Sequence, residues 1–171
     1  MSTNQKYYGK YRGMVLNNID PLQIGRLMVQ VPDVSALSPS SWAMPCFPIA
    51  GRQMGAYMIP QIGAGVWVEF EQGDPDHPIW SGCWYGSASE LPALALAGNP
   101  ASPSMVLQTT MQNAIIVSDL PGPTGGIMLK SAAGATIIVN DTGIYIQNGQ
   151  GASLVLVGPT TTINQGALVI T

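Results

Sequence analysis

His77, the single histidine of the chain, lies in Gly73-Asp74-Pro75-Asp76-His77-Pro78. An imidazole beside carboxylates has the chemistry of a general base or of one ligand to a divalent metal. Zinc needs further nitrogen or sulfur donors, and calcium needs more oxygens than Asp74 and Asp76 provide. Turn formation and capping account for the same two aspartates. Glu69 and Glu71 could act as paired carboxylates, and a solvated strand face explains them as simply. Trp67, Trp80, Trp84 and Tyr85 could stack nucleic-acid bases. Six Lys and Arg with a net charge of −3 supply no basic stripe for a phosphate backbone. Core packing and subunit contacts are the competing use of those rings. Gly122-Pro123-Thr124-Gly125-Gly126 lacks the Lys-Ser/Thr pair of a phosphate loop. No nucleophile and base can be assembled, so the chain is not expected to be an enzyme, to hold a cofactor or metal, or to bind nucleic acid.

Cys46 and Cys83 are expected as two buried thiols, with a single bridge as the alternative. Only 9% of the 171 residues are charged, against about 25% in a typical soluble domain. A surface so poor in charge points to partners that cover it. The charge is also uneven. Twelve of the fifteen ionisable Lys, Arg, Asp and Glu residues lie in residues 1–92, and only Asp119, Lys130 and Asp141 follow. That shift predicts a boundary, with residues 91–104, rich in Pro and Ala, as linker between a first domain (1–90) and a second (105–171). The polar N-terminus and the absence of any apolar run near 20 residues lead to the expectation of synthesis and folding in the cytosol.

The elements that must carry these residues are all strands. Val66, Val68 and Phe70 alternate with Trp67, Glu69 and Glu71, the period of a half-buried strand. Ile79–Tyr85 forms a second run, and the two prolines between them forbid a helix, so residues 55–86 read as a hairpin with a stiff connection. Upstream, strands are expected at Lys10–Leu16, Arg26–Val31 and Trp42–Phe47, with residues 1–8 as an arm or frayed end. Leu27, Val29 and Val31 share one face. Five short strands in about 80 residues fit a small barrel better than a sandwich. Beyond residue 105, short apolar runs (114–117, 126–130, 135–140, 143–148, 152–157, 160–164 and 167–171) alternate with turns. Glycines recur at 126, 134, 143, 151, 158 and 166. One strand and one turn per near-constant period signals a solenoid or fibre, and apolar faces with no helix to cover them call for identical chains stacked round an axis.

The order of motifs from residue 12 to 86 is specific. Trp42-Ala43 precedes a glycine-rich crossing (Gly51 to Gly55) and a Pro60-x-x-Gly63 step. Val66 to Phe70 leads into Glu71-Gln72-Gly73-Asp74-Pro75, and a Pro78-led strand ends at Tyr85-Gly86. This resembles the OB-fold domain of phage baseplate assembly protein V and of the Vgr-type spike proteins of type VI secretion. The resemblance implies an all-β chain: a five-stranded OB-fold barrel followed by a trimeric, intertwined β-helix needle. It implies a homotrimeric central spike of a contractile injection machine, in a phage tail baseplate or a related injection particle. The barrel would dock on a tail hub, and the needle would pierce the target cell envelope. Residues 87–104 leave no room for the muralytic domain of some members, and no His-x-His tip site follows His77. The resemblance therefore also implies a separate PAAR-type tip protein, seated on Ala167, Leu168, Val169, Ile170 and Thr171. The rival reading is an OB-fold module that captures single-stranded nucleic acid or glycan.

Overall fold

The structure is a computed structural model that describes residues 5–102 and 104–170 and divides into two units after Glu90. The first unit is a closed barrel of five strands: β1 (Tyr11–Asn17), β2 (Leu27–Gln30), β3 (Pro39–Pro45), β6 (Gly65–Phe70) and β7 (Pro78–Trp84). Neighbours pair antiparallel except β3 with β7, which run parallel, and the strand order is β1-β2-β3-β7-β6. A small hairpin, β4 (Ala50–Gly51) with β5 (Met54–Gly55), interrupts the crossing between β3 and β6. The expected alternation is realised: Leu27, Val29, Val31, Val66, Val68 and Phe70 form the core with Val15, Ala43 and Trp80, while Trp67 and Glu69 turn outward. A buried aliphatic side chain of this size stabilises a fold by about 1.5–3 kcal/mol, so this cluster is the first unit's main source of stability.

Some local expectations change. Pro32 does more than end β2: with its φ preset and no N–H to satisfy, it opens a short helical turn, α1 (Pro32–Ser35). β3 starts at Pro39, three residues earlier than Trp42. Glu71 leaves the strand for a 3₁₀ turn, so it does not share a strand face with Glu69. The N-terminal arm is tied down over its last residues: Tyr7 N–H donates to the Gly73 carbonyl at 2.9 Å, and its ring packs on Tyr11 and Phe70. Residues 1–4 of the arm lie outside the described residues.

The second unit is an eight-stranded antiparallel meander. After the helical turn α2 (Ala93–Leu96) come β8 (Met105–Gln108), β9 (Ala114–Ser118), β10 (Gly126–Lys130), β11 (Thr136–Asn140), β12 (Gly143–Gln147), β13 (Ser153–Val157), β14 (Thr160–Ile163) and β15 (Leu168–Ile170). Each pairs only with its chain neighbours, in the order β15 to β8. Seven of these strands coincide with the apolar runs of the sequence; β8, just past the expected linker, carries no glycine of the repeat and is not among those runs. The repeat glycines mark the strand junctions. At Gly126 (φ +85°) an added Cβ would lie 2.1 Å from the Val139 carbonyl oxygen, so the turn admits no side chain. Strand pairing within one chain, rather than winding of one chain about others, is what the single protomer displays.

Candidate functional site

The second unit presents two faces of different chemistry. Antiparallel register fixes which residues stand side by side. One ladder runs Met105, Val117, Ile127, Val139, Ile144, Leu156, Thr161, Ile170. Beside it on the same face runs Leu107, Ile115, Leu129, Ile137, Ile146, Leu154, Ile163, Leu168. Fifteen of these sixteen side chains are apolar, with Thr161 the exception, and most are exposed in the single chain. At about 4.8 Å per strand the stripe extends on the order of 34 Å. The other face has one apolar row, including Ile116, Met128, Ile138 and Tyr145. Polar Gln108, Thr136, Gln147 and Ser153 and the lone strand charge, Lys130, flank it. The alternation of β-branched and polar residues makes these strands local, hairpin-linked and one-sided. A continuous exposed aliphatic stripe of this length marks an interaction surface.

Residues with chemical potential in the barrel are engaged otherwise. Asp74 receives the Asp76 N–H at 3.0 Å, and this backbone donor, followed by the nearby Lys6 and His77 charges, holds its carboxyl below the usual range. His77 Nδ1 stands 3.6 Å from Asp74 Oδ2 with an exposed side chain. His77 N–H donates to the Asp74 carbonyl, and Ser41 Oγ donates to the Asp76 carbonyl. The loop is thus a framed turn, and no cluster of three His, Cys, Asp or Glu suited to a metal occurs among the described residues. Glu69 pairs with Lys10 at 2.6 Å, and Lys10 also donates to Ser81.

The tryptophans divide into core and wall. Trp80 is buried, donates through Nε1 to the Gly25 carbonyl at 3.0 Å and meets Phe47 edge-on. Trp67 and Trp84 lie on the outer wall with the Arg12 guanidinium 5.8 and 5.2 Å from their centroids. Arg26 covers Trp42. Arginine therefore covers one face of each of these rings. Cys46 and Cys83 are both free and exposed, which corrects the expectation of buried thiols. The expectation rested on the usual burial of free thiols; Cys83 follows Gly82, where β7 departs from strict alternation, and reaches the surface, although desolvation by its surroundings pushes the thiol pKa up.

The structural signal that residue types alone did not reveal is Asp20. Its carboxylate accepts from the backbone N–H groups of Leu22, Ile24 and Arg26 and from Arg26 Nε and Nη2, the last at 2.7 Å. The Arg26 contact is the main reason its carboxyl is held far below the usual range, opposed in part by burial. An aspartate six residues before an arginine, flanking Pro21 and Gly25, was the available cue.

Of the tip residues, Leu168 and Ile170 are exposed on β15, the outermost strand among those described, and Ala167 precedes it. Val169 lies within β15, paired with Thr162, and Thr171 is outside the described residues.

Two family models match the chain. Residues 11–85 match the type VI secretion system/phage-baseplate injector OB domain, and residues 104–169 match the phage baseplate V C-terminal trimerisation domain. Two curated relatives from Pseudomonas aeruginosa PAO1 are similar over 53 residues: type VI secretion system spike protein VgrG4b at 42% identity and spike protein VgrG5 at 38%. Each match spans 31% of this chain and 7% of the relative.

Proposed function

We propose that this chain, whose two units match the injector OB domain and the phage baseplate V trimerisation domain, is a homotrimeric central spike of an injection machine. The observation that carries this reading is the pair of aliphatic ladders. Three sheets set round an axis with those ladders inward would bury them, leaving the polar-flanked face and Lys130 outside. Completing the burial of a half-exposed aliphatic residue is worth about 1 kcal/mol, so fifteen per chain match or outweigh the roughly 4–15 kcal/mol that association costs. In this assembly the second unit forms the needle, with strands perpendicular to the axis. Uncharged Thr, Asn, Gln and Ser at neighbouring positions avoid repulsion between closely spaced strands. A shaft made of hydrogen-bonded strands with short turns offers few sites for local opening under load.

The finer parts of the reading extend the family likeness. The barrel docks on a tail hub, the needle is driven through the target envelope, and the outer edge of β15, with Leu168 and Ile170, seats a PAAR-type tip protein. An edge strand with apolar side chains is a template for a partner. The role is mechanical, within a phage tail baseplate or related injection particle.

Size-exclusion chromatography with light scattering tests the core of this. A mass three times the 18.0 kDa chain is expected, and a stable monomer overturns it. Removal of residues 159–171 is expected to weaken tip-protein binding while the trimer persists; unchanged binding would refute the proposed seat.

A further inference from the structure

The barrel's exposed apolar side chains are concentrated at one end. Ile19, Leu22 and Ile24 come from the loop after β1, and Ile49, Met54 and Met58 come from the crossing between β3 and β6. The two segments form one surface. Asn18 donates to the Pro60 carbonyl at 3.0 Å, and a Cβ on Gly25 (φ +85°) would strike the Phe47 ring at 2.9 Å and Ile59 at 3.1 Å. The loop after β1 is also held in place. The buried Asp20 carboxylate gathers three backbone N–H groups and the Arg26 fork, and thereby fixes a loop whose aliphatic side chains point to solvent. A preorganised apolar surface loses little entropy on association, which is a property of interfaces.

We propose that this end, residues 18–25 and 47–62, is a second self-association surface, at which the barrels of three protomers pack against one another; the proposal rests on the trimeric reading above. Two observations select copies of this chain as the occupant. The first is where the chain leaves the barrel. Trp84, the last residue of β7, pairs with Gly65, and Gly63 and Ala64 just before it bond to Val15. The tether to the trimerisation domain thus starts at this end, and a shared tether raises the local concentration of the three surfaces. The second is charge. Within these segments Asp20 is spent on Arg26, and Arg52 at the hairpin tip is the one remaining ionisable group among Asp, Glu, Lys, Arg and His. The opposite end carries Asp33, Glu71, Asp74 and Asp76 against the single cation Lys6, so threefold convergence there would still stack net negative charge.

The test uses the full chain with Cys46→Ser and Cys83→Ser and one new thiol: Leu22→Cys, Met58→Cys or, as reference, Leu37→Cys at the opposite end. Leu22 is 63% and Leu37 85% exposed in the single chain, so burial by partners is the only large difference expected between them. Each variant is first sized by light scattering and then reacted with a maleimide without denaturant. A trimer in which the Leu22→Cys and Met58→Cys thiols react about tenfold or more slowly than the Leu37→Cys thiol supports the surface. A trimer in which all three react alike overturns the surface and leaves the trimeric reading standing. A monomer overturns both.

Discussion

The Trp84 indole lies flat across Gly65. A Cβ at Gly65 would sit 2.6 Å from Trp84 Cε2, and Trp84 Nε1 donates to the Val66 carbonyl at 3.1 Å. The absence of a side chain on β6 is therefore what lets the last residue of β7 close the barrel wall. Gly65→Ala is expected to displace the indole, at a cost of about 1–3 kcal/mol. Denaturant melts followed by tryptophan fluorescence measure it; an unchanged midpoint would mean that the ring is not held there.

Asp20 gives the barrel a signed pH response. Its folded pKa is depressed, so its stabilisation is fully present above the unfolded value near 3.9 and is lost as pH falls below about 4 toward the folded value. Asp20→Asn is expected to lower the melting temperature at pH 7, and the gap from the parent protein should narrow as the pH drops from 4. A gap that stays constant across that range would refute the charge-based account.

The two faces of the sheet make opposite predictions for substitutions one residue apart. Ile146→Asp places a charge in the aliphatic ladder, whereas Gln147→Asp places it on the polar-flanked face. The first is expected to reduce the mass by light scattering from three chains to one, since an unpaired carboxylate in an apolar interior costs several kcal/mol. The second should leave three. Equal behaviour of both variants would remove the ladders as the contact.

Thiol kinetics separate the cysteines. Partial burial raises the Cys83 pKa, so a smaller fraction is thiolate at pH 8 than for an ordinary thiol. In a Cys46→Ser background, its reaction with a disulfide reagent should be slow at pH 8 and accelerate steeply above pH 9. A rate equal to that of a free cysteine peptide at pH 8 would contradict this.

What could be read from the sequence, and what could not, has a physical pattern. Period-two alternation at Val66–Phe70 and Leu27–Val31 located barrel strands because each buries one face. The glycine spacing located the sheet strands because each junction needs a tight turn. Partnering was less visible. The same spacing fits strands stacked between chains or folded back within one, and only register shows that Ile127 meets Val139 inside the protomer. The hairpin β4–β5 escaped notice because its two-residue strands bury nothing. Asp20 escaped because its significance lies in five donors that converge only after the loop has folded.

The meander also determines when the second unit can form. Every strand pairs with the strand just before or after it, so a nascent chain can complete each hairpin soon after its second strand emerges, with little loop entropy to pay. Docking of three chains, by contrast, is a second- or higher-order encounter. Between the two events each newly made sheet carries an uncovered aliphatic ladder. Dilution therefore prolongs the most aggregation-prone stage of its life, while synthesis of several chains on one message shortens it.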